Sequence, residues 1–126
     1  MSIDERIADA LADVRVELFR GNRNPKMIDE IAADYDLKPS VLAARLARAY
    51  GTLEEMDRWQ AKSVSMRAIE TRMKSAIHEY AVTEGGIEIA IWLEERAGRA
   101  PSWDEVQYAD ELWMRHALNK LMAKDE

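Results

Sequence analysis

Few residues of this chain have types and spacings suited to chemistry. His78 and His116 are the two histidines, and Glu94-Glu95 and Asp110-Glu111 are adjacent acidic pairs. Metal binding needs several His, Cys or carboxylate ligands converging at set spacings. The two histidines lie far apart, with no cysteine and no acidic residue at ligand spacing. No metal site is expected. Acid–base catalysis needs a carboxylate pair aimed at one point, whereas neighbouring residues of a helix point in different directions, so each acidic pair reads as a solvated face. No nucleophile elbow, phosphate loop or dinucleotide fingerprint is present, and Gly85-Gly86 by itself is a turn. An enzyme is not expected, nor is a cofactor.

What remains is charge and its placement. The 126 residues carry a formal net charge of −6, which argues against a general nucleic-acid coat. The charge is unevenly spread. In residues 20–51, Arg20, Arg23, Lys26, Lys38, Arg45 and Arg48 outnumber Asp29, Glu30, Asp34 and Asp36; acids prevail in residues 1–19, 52–86 and 87–126. A localised cationic segment is what a contact with phosphates requires. Arg20 and Arg23 flank a loop from which a backbone phosphate is within reach, although loop arginines are more often simply solvated.

The elements that would present these cations can be read from periodicity. Asn24 before Pro25 is a helix start, because the Asn oxygen caps orphan amides and proline sits where no amide is needed. Met27, Ile28, Ile31, Ala32 and Tyr35 recur at helical spacing. Asp36-Leu37-Lys38-Pro39-Ser40 interrupts the pattern, since the residue before a proline is pushed out of the helical region. A second helix follows with Val41, Leu42, Leu46 and Ala49 apolar, and Gly51 stands where a left-handed cap is wanted. Ala32 lets the two helices approach, Leu37 is expected to plug the gap, and Leu42 and Leu46 to face Ile28 and Ile31. The layout is helix, tight turn, helix.

Ile31-Ala32, Tyr35-Asp36-Leu37, Lys38-Pro39-Ser40 and Leu42 with Leu46 make residues 25–51 resemble the helix-turn-helix superfamily, especially its sigma-factor region 4 type. The resemblance implies a DNA-binding head in which Lys38, Ser40, Arg45 and Arg48 reach the duplex, with Arg23 and Lys26 beside them, some of them on phosphate rather than base edges. Two departures stand out. Asp36 takes a turn position where the family often has glycine, and Ala43, Ala44 and Ala47 leave the second helix bare where base-reading side chains are expected. The implied activity is therefore weakly sequence-specific.

The rest of the chain reads as supporting helices. Ser2-Ile3-Asp4-Glu5 is a capping box, and Ile3, Ile7, Leu11, Val14 and Leu18 form one apolar stripe, so a first helix ends at Gly21 and completes a three-helix head over residues 1–51. Its acidic outer face should point away from DNA. Thr52-Leu53-Glu54-Glu55 is a second capping box, after which no proline or glycine intervenes before Gly85-Gly86. The expectation is a long helix of roughly 46 Å, with Trp59, Met66, Met73 and Tyr80 on a seam seven residues apart. Lys62 breaks that seam, and Ser63-Val64-Ser65 is a weak helical patch. Ile87–Leu93 partly alternates, but with no second strand candidate it reads as a helix ending at Gly98. Ser102-Trp103-Asp104-Glu105 opens the last helix, whose stripe runs through Val106, Ala109, Trp113, Ala117 and Leu121.

These readings give an all-α protein: a helix-turn-helix head over 1–51, then a long helix and a C-terminal helical hairpin over 52–126. The second region is the expected self-association surface, through Trp59, Met66, Met73, Trp92, Trp103 and Trp113, because tryptophan is enriched at interface centres. With no cysteine, no signal pattern in the first residues and no membrane span, the expected setting is cytoplasmic. The expected function is an oligomeric DNA-binding adaptor for double-stranded DNA, resembling small transcriptional regulators. Its order of elements also resembles phage small terminase subunits, which act in DNA packaging. Repeated copies would offset weak single contacts. The alternative is an acidic helical module, or inhibitor, that binds a protein partner and uses the same head only as a scaffold.

Overall fold

The computed structural model describes residues 2–51 and 69–122. These residues form six helices and no strand: α1 (Ile3–Phe19), α2 (Met27–Asp34), α3 (Pro39–Tyr50), α4 (Thr71–Ala81), α5 (Ile89–Ala97) and α6 (Trp103–Met122). The fold is all-α.

Local signals set most of the helix ends. At the start of α1 the Ser2 hydroxyl accepts from the Glu5 amide at 3.2 Å. Before α2, the Asn24 side-chain oxygen accepts from the Lys26 amide at 3.0 Å. The start of α6 shows the full reciprocal capping box: the Glu105 amide donates to the Ser102 hydroxyl (3.2 Å), and the Ser102 amide donates to the Glu105 carboxylate (2.8 Å). Gly51 closes α3 at φ 68°, ψ −163°, and Gly98 closes α5 at φ 78°, ψ 11°. Both are backbone states a side chain would strain.

α6 lies at the centre. Tyr108, Ala109, Leu112, Trp113, Met114, Ala117, Leu118 and Leu121 are all buried, so apolar side chains cover most of its circumference. Such a helix must be enclosed, and it touches α1, α3, α4 and α5. Ile7, Ala10, Val14 and Leu18 of α1, Met27, Ile28, Ile31 and Ala32 of α2, Leu37, and Leu42 and Leu46 of α3 join the same buried cluster as the α4–α6 residues. Each large aliphatic side chain buried this way contributes roughly 1.5–3 kcal/mol. A bidentate Arg15–Asp110 pair ties α1 to α6, and the carboxylate raises the Arg15 pKa. Gly85 lets the α4–α5 turn close over this junction: a Cβ there would stand 2.7 Å from the Phe19 carbonyl oxygen and 3.0 Å from Trp113 Cζ2.

One expectation needs correction. The helix expected to run unbroken to Gly85-Gly86 does not pass through Glu70, whose backbone is extended (φ −63°, ψ 153°); α4 begins at Thr71 and ends at Ala81. At that point the chain is tied to the α5–α6 turn, where Arg99 Nε holds the Glu70 carboxylate at 2.6 Å. The expected Thr52 cap, Trp59 and Met66 lie outside the described residues.

Candidate functional site

The basic segment is built around the α2–α3 turn. α2 ends in a double-bonded cap: the Leu37 amide donates to the Ala32 carbonyl (2.8 Å) and the Asp36 amide to the Ala33 carbonyl (3.1 Å). This cap puts its central residue in the left-handed region, and Asp36 takes φ 54°, the only non-glycine among the described residues with positive φ. Asp36 thus occupies the conformation that glycine would serve, at a steric cost glycine would not bear. Leu37 is buried behind it. Pro39 then supplies the first residue of α3 with its φ already fixed.

α3 buries Leu42 and Leu46 and turns Ser40, Ala44, Ala47 and Arg48 to solvent. Lys38 is exposed just before it, and Lys26 is exposed at the start of α2. Arg45 stands at the edge of the face, partly exposed, with its guanidinium 3.9 Å from Asp4 of α1. So open an ion pair costs little to break. No acidic residue lies on α3 itself. An open groove runs beside the face, lined by Pro25, Ile28 and Asp29 of the α2 start, Pro39, Ser40 and Ala43 of α3, and Leu121.

Arg23 has a different position. Its guanidinium donates to the carbonyls of Leu18 (2.5 Å), Asn22 (3.2 Å) and Glu84 (3.2 Å), and lies 5.7 Å from the Trp113 ring centroid. It staples the α1–α2 loop to the α4–α5 turn and is turned away from phosphate contact by those bonds. It also lines a cavity of about 150 Å³ with Thr83, Glu84, His116 and Lys120. Lys120 pairs there with Glu84 at 3.3 Å.

The residues expected at a self-association surface divide sharply. Met73 and Trp113 are 0% and 1% exposed, inside this chain's own core. The Trp113 indole donates to the Thr83 carbonyl (3.0 Å) and meets Phe19 edge-on at 6.0 Å. Neither side chain is available to a second copy; the described part of the long-helix stripe, from Met73 to Tyr80, is covered by α5 and α6 instead. Trp92 is half-buried: its indole donates to the Ala76 carbonyl (3.2 Å), its ring meets Tyr80 edge-on, and Arg96 stacks on it at 3.2 Å from the centroid. Among the described residues of that set Trp103 alone is open, at 73% exposure; Ile87, Ile91 and Val82 are also exposed.

Of the two acidic pairs, Glu94-Glu95 is exposed and Asp110-Glu111 has structural partners. Asp110 holds Arg15, and Glu111 lies 3.9 Å from Arg115. His78 is exposed and His116 half-buried. Among the described residues, no group of three His, Cys, Asp or Glu side chains is placed to hold a metal ion, and no helix is long and apolar enough to cross a membrane.

Local spacing gave no sign of three polar ties from α1. Arg6 Nη1 donates to the carbonyls of Tyr35 (3.3 Å) and Asp36 (3.1 Å). The Tyr35 hydroxyl donates to Asp13 at 2.6 Å, a bond that pushes the Tyr35 pKa up to about 12. Asp4 makes the third tie, to Arg45. No family model, curated protein or solved structure matches the chain.

Proposed function

We propose that this protein is a DNA-binding helix-turn-helix adaptor that contacts double-stranded DNA through the outer face of α3, mainly at phosphates and with low sequence specificity. The observation that supports this most is the composition of that face. Lys38, Ser40, Ala44, Ala47 and Arg48 are exposed, Arg45 stands at its edge, and no carboxylate lies along the helix. Alanines allow the helix backbone close to a groove wall, while the cations and the Ser40 hydroxyl suit phosphate oxygens. Lys26 adds a further cation near the α2 start; Arg23 is kept as a loop staple. Self-association belongs to this reading through the exposed Trp103 and the exposed part of the half-buried Trp92. Gathered copies raise the avidity of weak individual contacts. Transcriptional regulation and phage DNA packaging are the two settings in which such an adaptor would serve.

The test is binding to a labelled duplex at two salt concentrations, with the Arg45→Glu/Arg48→Glu double variant alongside. Binding should weaken steeply with salt, with log K falling by about 0.9 per log salt for each phosphate neutralised, and the variant should lose it. No binding at low salt would end this reading. The second reading, a protein-binding module, draws on the exposed acidic face of α1 (Asp4, Glu5, Asp9, Asp13) together with the open Trp103. It predicts no duplex binding at any salt and capture of a partner that a Trp103→Ala variant releases.

A further inference from the structure

Arg6 is partly buried against the α2–α3 turn, and the groups its guanidinium donates to there are backbone carbonyls. Asp36, held at φ 54°, is the strained residue of that turn. Arg6 Nη1 donates to the Tyr35 and Asp36 carbonyls, the first two after α2 ends at Asp34, and lies 3.9 Å from the Asp36 carboxylate. A cation at a helix C-terminus is favoured by the macrodipole and supplies partners for orphan carbonyls. Two turns further along α1, Asp13 accepts from the Tyr35 hydroxyl at 2.6 Å. Residues seven apart lie on one side of a helix, so α1 grips the α2 terminus from Arg6 and from Asp13.

We infer that Arg6 is a positioning residue for the DNA contact: it fixes the left-handed turn at Asp36 and thereby sets the direction in which α3 leaves α2. The inference rests on the DNA-binding reading for its functional half and on the turn geometry for its structural half. Arg6 touches no DNA in this account. Its loss therefore changes affinity without changing the number of phosphates contacted, and the salt slope stays that of the unaltered protein. Glycine takes φ 54° without steric cost, so Asp36→Gly should relieve the turn where Arg6 is lost; because it also removes the carboxylate 3.9 Å from Arg6, the rescue is read in the Leu37 amide exchange rather than in affinity.

The experiment measures duplex affinity and its salt slope for the full chain, Arg6→Ala, Asp36→Gly and the double variant, well below the thermal midpoint. Amide hydrogen exchange is followed in the same proteins without DNA. Arg6→Ala should weaken binding about tenfold, the low end for one charge-assisted hydrogen bond, with an unchanged slope, and the double variant should recover the Leu37 exchange of the unaltered protein. Exchange at Leu37, whose amide closes the cap on Ala32, should accelerate while the amides of α4–α6 stay protected. Affinity and Leu37 exchange both unchanged in Arg6→Ala would overturn the inference. So would acceleration spread evenly over all helices, the mark of general destabilisation. If the unaltered protein binds no duplex, the functional reading fails and the inference with it; faster Leu37 exchange then leaves Arg6 a turn clamp only.

Discussion

Two turns of this molecule are each closed around a residue with positive φ, and each is held by one arginine, yet they are made in different ways. The α5–α6 turn uses Gly98 in the left-handed position. Its arginine is the next residue: Arg99 forks onto Glu105 (2.9 and 2.8 Å) and also takes Glu70. Glu105 in turn completes the capping box with Ser102. Apart from Glu70, every partner of Arg99 and Glu105 lies within eight residues. The α2–α3 turn places Asp36 where glycine would be easier, and its arginine comes from α1, thirty residues away in sequence. The first turn is closed locally and almost free of strain. The second depends on tertiary structure, and it is the one beside the candidate interface. Strain of this kind collects where a structure must hold one orientation.

Removing the keystone of the local turn should have the largest effect. Glu105 is 6% exposed and serves both Arg99 and the Ser102 amide, so Glu105→Gln should cost about 2 kcal/mol in denaturant unfolding, a lost cap plus a weakened charge-assisted pair. The Arg99 guanidinium holds the Glu105 pKa below its usual 4.5. A depressed folded-state pKa means the contribution is present above that value and is lost as pH falls through the depressed one. Unfolding titrations should show stability declining below about pH 4.5 in the parent protein, with a shallower decline in Glu105→Gln.

The glycine and the aspartate should then respond in opposite directions. Gly98→Ala puts a Cβ into a left-handed residue, 3.1 Å from Arg72 Nη1, and should lower stability by about 1 kcal/mol. The arginine end can move aside, so the backbone state sets the cost. Asp36→Gly should raise stability by about 0.5 kcal/mol, relief of left-handed strain partly offset by the entropy of glycine. Equal signs for the two changes in matched denaturation curves would remove the contrast between the turns.

The smallest effect is expected at the edge of the α3 face. Asp4→Ser frees Arg45 from a pair whose members are 38% and 81% exposed, keeps the first helix clear of a bulky change, and removes one acid near the interface. Duplex affinity should rise about twofold at low salt, with the gain disappearing at high salt as screening takes over, and the thermal midpoint should stay within a degree or so of the parent.

The same contrast explains what could be read from the chain. Stops and starts whose partners are local were legible: Ser2 and Ser102 at N-termini, Gly51 and Gly98 at C-termini; Asn24, expected to cap α2, instead holds the Lys26 amide in the turn before it, and α2 starts at Met27. So was the stripe through Met73 and Tyr80, both buried. What covers that stripe was not legible, because periodicity marks an apolar face without naming its neighbour; α5 and α6 of the same chain cover it. The break at Glu70 was hidden for a related reason. No glycine or proline marks it, and its partner Arg99 follows 29 residues later. At the candidate site the cations of α3 were visible as residue types, but the diversion of Arg23 into three backbone carbonyls and the grip of Arg6 on the turn are products of the folded arrangement.

The central claim, that the outer face of α3 meets duplex DNA, is tested most directly by following the backbone amides of isotope-labelled protein by NMR while a short duplex is added. The account predicts that Lys38, Ser40, Ala44 and Arg48 shift together at low salt, that the shifts fade as salt is raised, and that the α4–α6 amides stay in place. Unmoved α3 amides at low salt, or shifts centred on Trp103 instead, would contradict it.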